Sequence, residues 1–250
     1  NSPVAPADYM NVETDAGGMT ERGWIEFGWE NYYALLNCGF RISPTAGTAS
    51  GVHPVPLGFG RVYVHLPRRF DVKDWLSGLK QGVSFVTTGP MLLARVDRRQ
   101  AGEARRFPAG RRQQVKVVGS CLSDHPVDVI EVLVNGEVRR TITPANRLTA
   151  AGAYETRLSE SIELDRTCWI AVRCLQHYPT GRYRFAHTAP WHFQFGEELI
   201  EPRREQIDEL VKRVKDEIIR NQDRLSPEAL AEFKQALAIY ERIAERVGKK

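Results

Sequence analysis

Apolar residues change their spacing twice along this chain. Between about residues 91 and 198 they fall into short runs, several of which alternate with polar residues: MLLARVD, QVKVVGS, VIEVLVNGEVRRTI, YETRLSESIEL, TCWIAVRCL and PWHFQF. A period of two sends successive side chains to opposite faces, so these runs predict strands with one buried face. Ile130, Val132 and Val134 share such a face. Cys168, Ile170, Val172 and Cys174 form another, with Trp169, Ala171 and Arg173 opposite. Asn135-Gly136 lies between two of the runs and predicts a hairpin, because a type I′ turn needs positive φ at both central residues. Short strands spaced by turn residues predict an antiparallel β-sandwich.

From residue 199 onward the period is helical. Ile207, Leu210, Val211, Val214 and Ile218 form one stripe; Leu230, Phe233, Leu237, Tyr240 and Ile243 or Ala244 form a second. Ser226 and Pro227 restart the chain between them as cap and first helical residue, so 199–250 predicts an α-helical hairpin. Before residue 91 the pattern is mixed. WENYYALLNCG (29–39) predicts a short helix with Tyr32, Leu35 and Leu36 on one face and Gly39 closing it. GRVYVHLP predicts a strand. DVKDWLSGLKQG predicts a helix capped by Asp71, striped by Trp75, Leu76 and Leu79, and stopped at Gly82. SFVTTGP predicts another strand. Strand, helix, strand is the order of a βα unit. The expected class is α+β and β-rich, in three segments: 1–90, 91–198 and 199–250.

Composition narrows the function classes. The chain has 250 residues, 42 % apolar and 26 % charged, with a net charge of +4. Basic residues cluster in short stretches such as RRFPAGRR (105–112), which read as solvated loops, so nucleic acid is not an expected partner. No apolar run reaches the ~20 residues of a membrane-spanning helix. The opening NSPVAPADYMNVETDAGG reads as an arm or linker, which makes a piece of a longer polypeptide the expectation. None of the four cysteines, Cys38, Cys121, Cys168 and Cys174, forms a CxxC pair, and they read as buried free thiols. Cys168 and Cys174 stand too far apart along one strand to bridge each other.

The stretch SPTAGTASGVHPVP (43–56) carries the candidate chemistry. Ala49 occupies the centre of G-T-A-S-G, where a nucleophile elbow needs Ser. No Lys follows to make a phosphate-binding P-loop, and Pro54 and Pro56 oppose a dinucleotide-binding helix. His53 is the candidate metal ligand of this bend, although a lone His is more often a packed or solvent-facing residue. The six histidines form no HxH, HxxxH or HExxH. His187 reads as a hydrogen-bonded rim residue. Arg41, Arg61 and Arg173 each suit a bidentate grip on an anion or a pairing with an internal carboxylate. Arg41, Ser50 and Arg61 are the substrate-binding candidates, and no catalytic residue stands out.

In order, YYALLNCGFRISPTAGTASGV, GFGRVYVHL, WLSGLKQGVSFVTTGPML, VLVNGEV, WIAVRC and AHTAPW resemble the C-terminal half of CehA/McbA-type metallohydrolases of the PHP (polymerase and histidinol phosphatase) superfamily, over roughly residues 29–195. The resemblance implies the last βα units of a distorted barrel with two or three divalent metals (Zn, Mn or Fe) in the full-length protein, used for phosphoester-type hydrolysis. Barrel sites sit at the C-terminal ends of strands, and the family's last ligand there is an Asp in a GSD or GTD turn. Gly47-Thr48-Ala49 aligns with that turn and puts Ala49 in its place, with His53 beyond the expected His. The ligand-bearing N-terminal half has no counterpart in this chain. The implied protein is therefore a hydrolase-like region, non-catalytic by itself, with no cofactor of its own. Its partner would be its own N-terminal half or a second copy, covering strand edges near 45–49, 61–66 and 84–88. The resemblance suggests a periplasmic or extracellular setting. The other reading is an extracellular β-sandwich binding or adhesion module with a helical association tail.

Overall fold

The computed structural model describes residues 21–48, 56–179 and 181–247. Its elements in chain order are helix α1 (Glu21–Asn37), strand β1 (Arg61–Val64), helix α2 (Val72–Gln81), strands β2 (Ser84–Thr87), β3 (Met91–Val96), β4 (Ala104–Phe107), β5 (Gln113–Ser123), β6 (Val129–Val134), β7 (Glu137–Ile142), β8 (Arg147–Leu148), β9 (Tyr154–Leu164), β10 (Cys168–His177), β11 (Tyr183–Thr188) and β12 (Trp191–Phe195), then helices α3 (Arg204–Asn221) and α4 (Pro227–Val247). The class is α+β and β-rich, with a helical pair at the C-terminal end.

Two sheets face each other. The larger runs β1-β2-β11-β10-β12-β4, and β6 pairs with β10 and carries β7; the smaller is β3-β5-β9-β8. All described pairings are antiparallel except β12 with β4. The inner faces follow the period-two pattern. Ile130, Val132 and Val134 of β6 and Cys168, Ile170, Val172 and Cys174 of β10 are buried against Val115, Val117 and Cys121 of β5 and Leu158, Ile162 and Leu164 of β9. The Asn135-Gly136 turn has φ of 52° and 85°, as a type I′ hairpin requires. Asn135 Oδ1 also accepts from the Trp169 N–H at 3.0 Å, tying the turn to β10.

Helix limits follow their chemistry. Asp71 caps α2 by accepting from the N–H groups of Lys73 and Asp74, and Gly82 ends it in the left-handed region at φ 73°. Of the expected stripe, Trp75 and Leu79 are half-buried while Leu76 is 54 % exposed. Gly78 is the point of closest approach to β1: a Cβ there would stand 2.5 Å from Val64 Cγ1.

The chain divides into two compact units. One holds the chain to Tyr33 and Arg41–Leu199; the other holds Ala34–Phe40 and Ile200 onward. In the second, Cys38, Ile207 and Ile243 are buried among Phe40, Leu210, Ile239, Tyr240 and Ala244. Ser226 caps α4 through Ala229 N–H.

Several expectations differ from the structure. The strand–helix–strand of 61–87 is not a parallel βα unit, because β1 and β2 pair antiparallel, Arg61 opposite Thr87 and Val64 opposite Ser84. Residue 90 lies between β2 of the large sheet and β3 of the small one, so strands on both sides of it belong to the sandwich, and β2 pairs with β11. Residues 105–107 of the basic stretch belong to β4 on the edge of that sheet, where Phe107 is buried. The expected strand at 45–49 is irregular through residue 48.

Candidate functional site

One cleft of about 340 Å³ gathers cationic groups. Gly102 lines it, and close contacts of Gly102 and Gly82 draw its walls together. Gly102 has φ 82°, and a Cβ on it would lie 2.1 Å from the Gln81 carbonyl oxygen and 2.6 Å from the Gly82 carbonyl carbon. A Cβ on Gly82 would meet Ser43 Oγ at 2.4 Å. Only hydrogen at these Cα atoms lets the end of α2, the 41–43 segment and the 102 turn converge. The Gly102 N–H donates to the Pro190 carbonyl at 2.9 Å, and the His192 N–H donates to the Glu103 carbonyl at 3.0 Å, so β12 closes the opposite wall.

Arg41, Lys80 and His192 line this cleft. Arg41 and Lys80 are exposed, and neither makes an ion pair among the described residues. Glu103, the carboxylate of the cleft, is already engaged: it pairs with Arg99 at 3.0 Å and accepts from the Gln100 N–H at 2.9 Å. Burial, and then the charge of Arg41, push His192 down to about 4, so its imidazole is neutral at pH 7 and offers one donor and one acceptor. The cleft thus presents two free cations and a neutral imidazole to whatever enters it.

A second polar cluster lies inside the first unit. Arg173 on β10 donates to Glu131 Oε2 at 2.6 Å, reaches the Tyr33 hydroxyl at 3.4 Å, and stacks its guanidinium 4.4 Å from the centre of the Trp29 ring. Tyr33 Oη and His187 Nε2 are 2.7 Å apart, and His187 Nδ1 bonds the Thr188 carbonyl at 2.7 Å. That last bond makes Nδ1 the donor, so Nε2 accepts from Tyr33. Burial is the main cause that pushes His187 down to about 3 and Tyr33 above the ordinary phenol range, leaving both uncharged. His187 is fully buried, not on a rim. Of the two readings open for Arg173, the structure realises the internal carboxylate.

The substrate-binding candidates are not all brought together. Arg41 lines the cationic cleft. Arg61 starts β1 and lines neither this cleft nor the larger one below; its Nε is buried without a hydrogen-bond partner among the described residues. Ser50 and His53 lie outside the described residues, as does Ala49. The described start of the glycine-rich bend is anchored to β1: the Gly60 N–H donates to Thr48 Oγ1 at 3.0 Å. Lys80 and His192 were missed. Lys80 reads in sequence as an ordinary last-turn cation, and His192 as a polar position alternating with Trp191 and Phe193. Only the glycine contacts bring them to Arg41.

The described residues do not fit the metals the resemblance implies: among them no group of three or more His, Cys, Asp or Glu side chains is placed to hold an ion. No described helix is long and apolar enough to cross a membrane. Comparison with protein-family models, with curated proteins and with solved structures finds no match.

A larger cleft, about 520 Å³, opens between β1–β2 of one sheet and β3–β5 of the other. Its lining is mainly apolar, including Val64, Phe85, Leu92 and Ala101. Ser84 Oγ there is buried without a hydrogen-bond partner among the described residues.

Proposed function

We propose that this chain is the C-terminal, non-catalytic region of a PHP-type metal-dependent hydrolase-like protein, and that it contributes a cationic cleft for an anionic, phosphoester-type group. The observation that carries the reading is the convergence of Arg41, Lys80 and neutral His192 around Gly102, with the nearby carboxylate already paired. A phosphate monoester wants charge-assisted donors and no free carboxylate, and this cleft meets both needs. The ordered resemblance over residues 29–195 supplies the hydrolase setting. The partner in this reading is the N-terminal half of the same protein. The outer edge of β1, which pairs only with β2 among the described strands, and the exposed Phe70, Val72 and Leu76 favour such a neighbour.

Two measurements test this. Purified chain, dialysed and then supplied with Mn, Fe or Zn, is assayed with p-nitrophenyl phosphate alongside elemental analysis; the expected result is no turnover and no stoichiometric metal. Turnover with bound metal would overturn the non-catalytic reading. Calorimetric titration with phenyl phosphate is expected to show one site, weakened about tenfold by Arg41→Gln and by Lys80→Gln, since a hydrogen bond to a charged group contributes roughly 1.5 kcal/mol. Equal affinity in both variants would remove the cleft from the proposal.

The larger cleft favours a second reading, a β-sandwich binding module. Its volume lies in the range of small-molecule sites, and Ser84 offers a polar anchor within an apolar lining. Retention on a glycan array, lost in Ser84→Val, would favour this reading over the first.

A further inference from the structure

The two sheets place a pair of cysteines face to face. Cys121 is on β5 of the smaller sheet, opposite Leu92 of β3 and Thr156 of β9. Cys174 is on β10 of the larger sheet, between Ile130 of β6 and Ala186 of β11. Both side chains point into the shared core, both are almost fully buried, and their Sγ atoms are 3.8 Å apart. Cys38 lies in the other compact unit, and Cys168 sits six residues before Cys174 on the same strand. The geometry therefore singles out one pairing among the four thiols. A bond between the two sulfurs needs an approach of about 1.8 Å beyond their present contact.

We infer that Cys121 and Cys174 are the partners of an inter-sheet disulfide, formed when the chain folds in an oxidising environment, and that the native sandwich packing accommodates the bond. The oxidant is an external disulfide of the glutathione class. The thiolate of one cysteine attacks it, forms a mixed disulfide and releases one thiolate. The second cysteine then attacks the protein-side sulfur of that mixed disulfide and releases the other. Two protein thiols become one disulfide, two external thiols are produced, and the two electrons pass to the oxidant. Exchange belongs to folding, before the core closes, because in the folded chain neither sulfur is reachable from water. The hydrogen bond with Cys121, together with burial, also holds Cys174 in its thiol form. Immunoglobulin domains place an inter-sheet disulfide in the same kind of position, across the core of a two-sheet sandwich.

The test is refolding. The denatured, reduced chain is refolded in a mixture of reduced and oxidised glutathione, unfolded again under alkylating conditions, and measured by intact mass and peptide mapping. Two alkylated cysteines and one crosslinked peptide pair containing Cys121 and Cys174 are expected. The bond should also raise the thermal midpoint by about 8–16 °C over the reduced protein, given the 53-residue separation of the two cysteines and a chain of this size. The Cys38→Ala/Cys168→Ala variant keeps the crosslink if the pairing is right, and does not depend on replacing a residue of the pair. Four alkylated thiols, or a crosslink to Cys38 or Cys168, would overturn the inference. A 121–174 bond that lowers the midpoint would overturn the claim that native packing accommodates it. None of these readouts depends on phosphate binding or on hydrolysis.

Discussion

Replacing Glu131 by Ala tests whether Arg173 is a fold element or a ligand-binding residue. The Arg173 Nε to Glu131 Oε2 distance is 2.6 Å, and the two side chains are 14 % and 17 % exposed. Removing the carboxylate leaves a guanidinium largely out of water, with only the Trp29 ring and a long contact to the Tyr33 hydroxyl. A buried pair broken on one side costs about 3–5 kcal/mol, because the surviving charge keeps its desolvation penalty and loses its compensation. At roughly 2–4 °C per kcal/mol for a chain of this size, the melting midpoint should fall by about 6–20 °C. Removing both charges, as in Arg173→Met/Glu131→Leu, should leave stability within about 1 kcal/mol of the parent, since apolar residues of similar volume replace the pair. Urea unfolding at pH 7 of the parent, Arg173→Met, Glu131→Leu and the double gives the coupling energy directly, expected at about 2 kcal/mol or more. A Glu131→Ala loss below about 1 kcal/mol, or a double variant no more stable than the worse single, would refute the assignment. Phenyl phosphate affinity should be the same in every folded variant of this cycle.

Other expected outcomes follow from the same contacts. His187 and His192 have folded values near 3 and 4, below the ordinary value of about 6.5 that they regain on unfolding. The unfolded chain therefore binds more protons in between, so stability is full above about pH 6.5 and falls as the pH drops towards 3. His187 alone sets a slope of up to about 1.4 kcal/mol per pH unit, measurable by urea unfolding across pH 7 to 4; a flat profile would contradict the buried neutral imidazole. Gly102→Ala forces a Cβ against the Gln81 carbonyl at a positive φ. It should cost about 3 kcal/mol or more and weaken phenyl phosphate binding even in the folded fraction, read by chemical denaturation and titration. Asp71→Ala should cost about 1 kcal/mol through the lost cap of α2, while Asp71→Ser should recover most of it in the same denaturation assay.

Much of the sandwich was legible because its strands repeat a simple instruction. Ile130, Val132 and Val134 fall at every second position, and the Asn-Gly turn after them marks the hairpin. Each signal is local, so sequence alone carries it. Helix α2 was legible for the same reason, with Asp71 and Gly82 at its two ends. What sequence could not carry were contacts between distant segments. His187 reads in sequence as a hydrogen-bonded rim residue at the start of a strand; it stands instead near the end of β11, where Tyr33 arrives from α1, 154 residues away, to bond its ring. Cys121 and Cys174 lie in separate runs, and nothing local says that their sheets face each other. The cationic cleft was half legible: Arg41 stood out as a cation beside a glycine-rich bend, while Lys80 and His192 gained meaning only from the approach of Gly102 to the end of α2.

The direction of β2 shows why the order of elements misled. Strand, helix, strand suggests a crossover to a parallel neighbour, and a ten-residue helix is long enough for one. Yet the His65 N–H donates to the Val83 carbonyl at 2.9 Å, directly beyond the paired ends of β1 and β2. That bond closes the ladder where the helix begins and ends, so α2 is an excursion inside a long hairpin and not a bridge across the sheet. Gly78 permits the excursion, because any side chain there would strike Val64 and lift the helix from the strand. This geometry also sets the chemistry. A crossover helix would carry its last turn away to the start of a parallel strand. A hairpin excursion returns it to where it left, and the left-handed residue Gly82 then turns the chain so that Lys80 joins Arg41 and His192. The same 61–87 segment that does not form a barrel unit thus delivers one of the two free cations of the cleft. A loss of anion binding on Gly78→Val that exceeds its loss of stability would show that the return of α2, and not Lys80 alone, assembles the site.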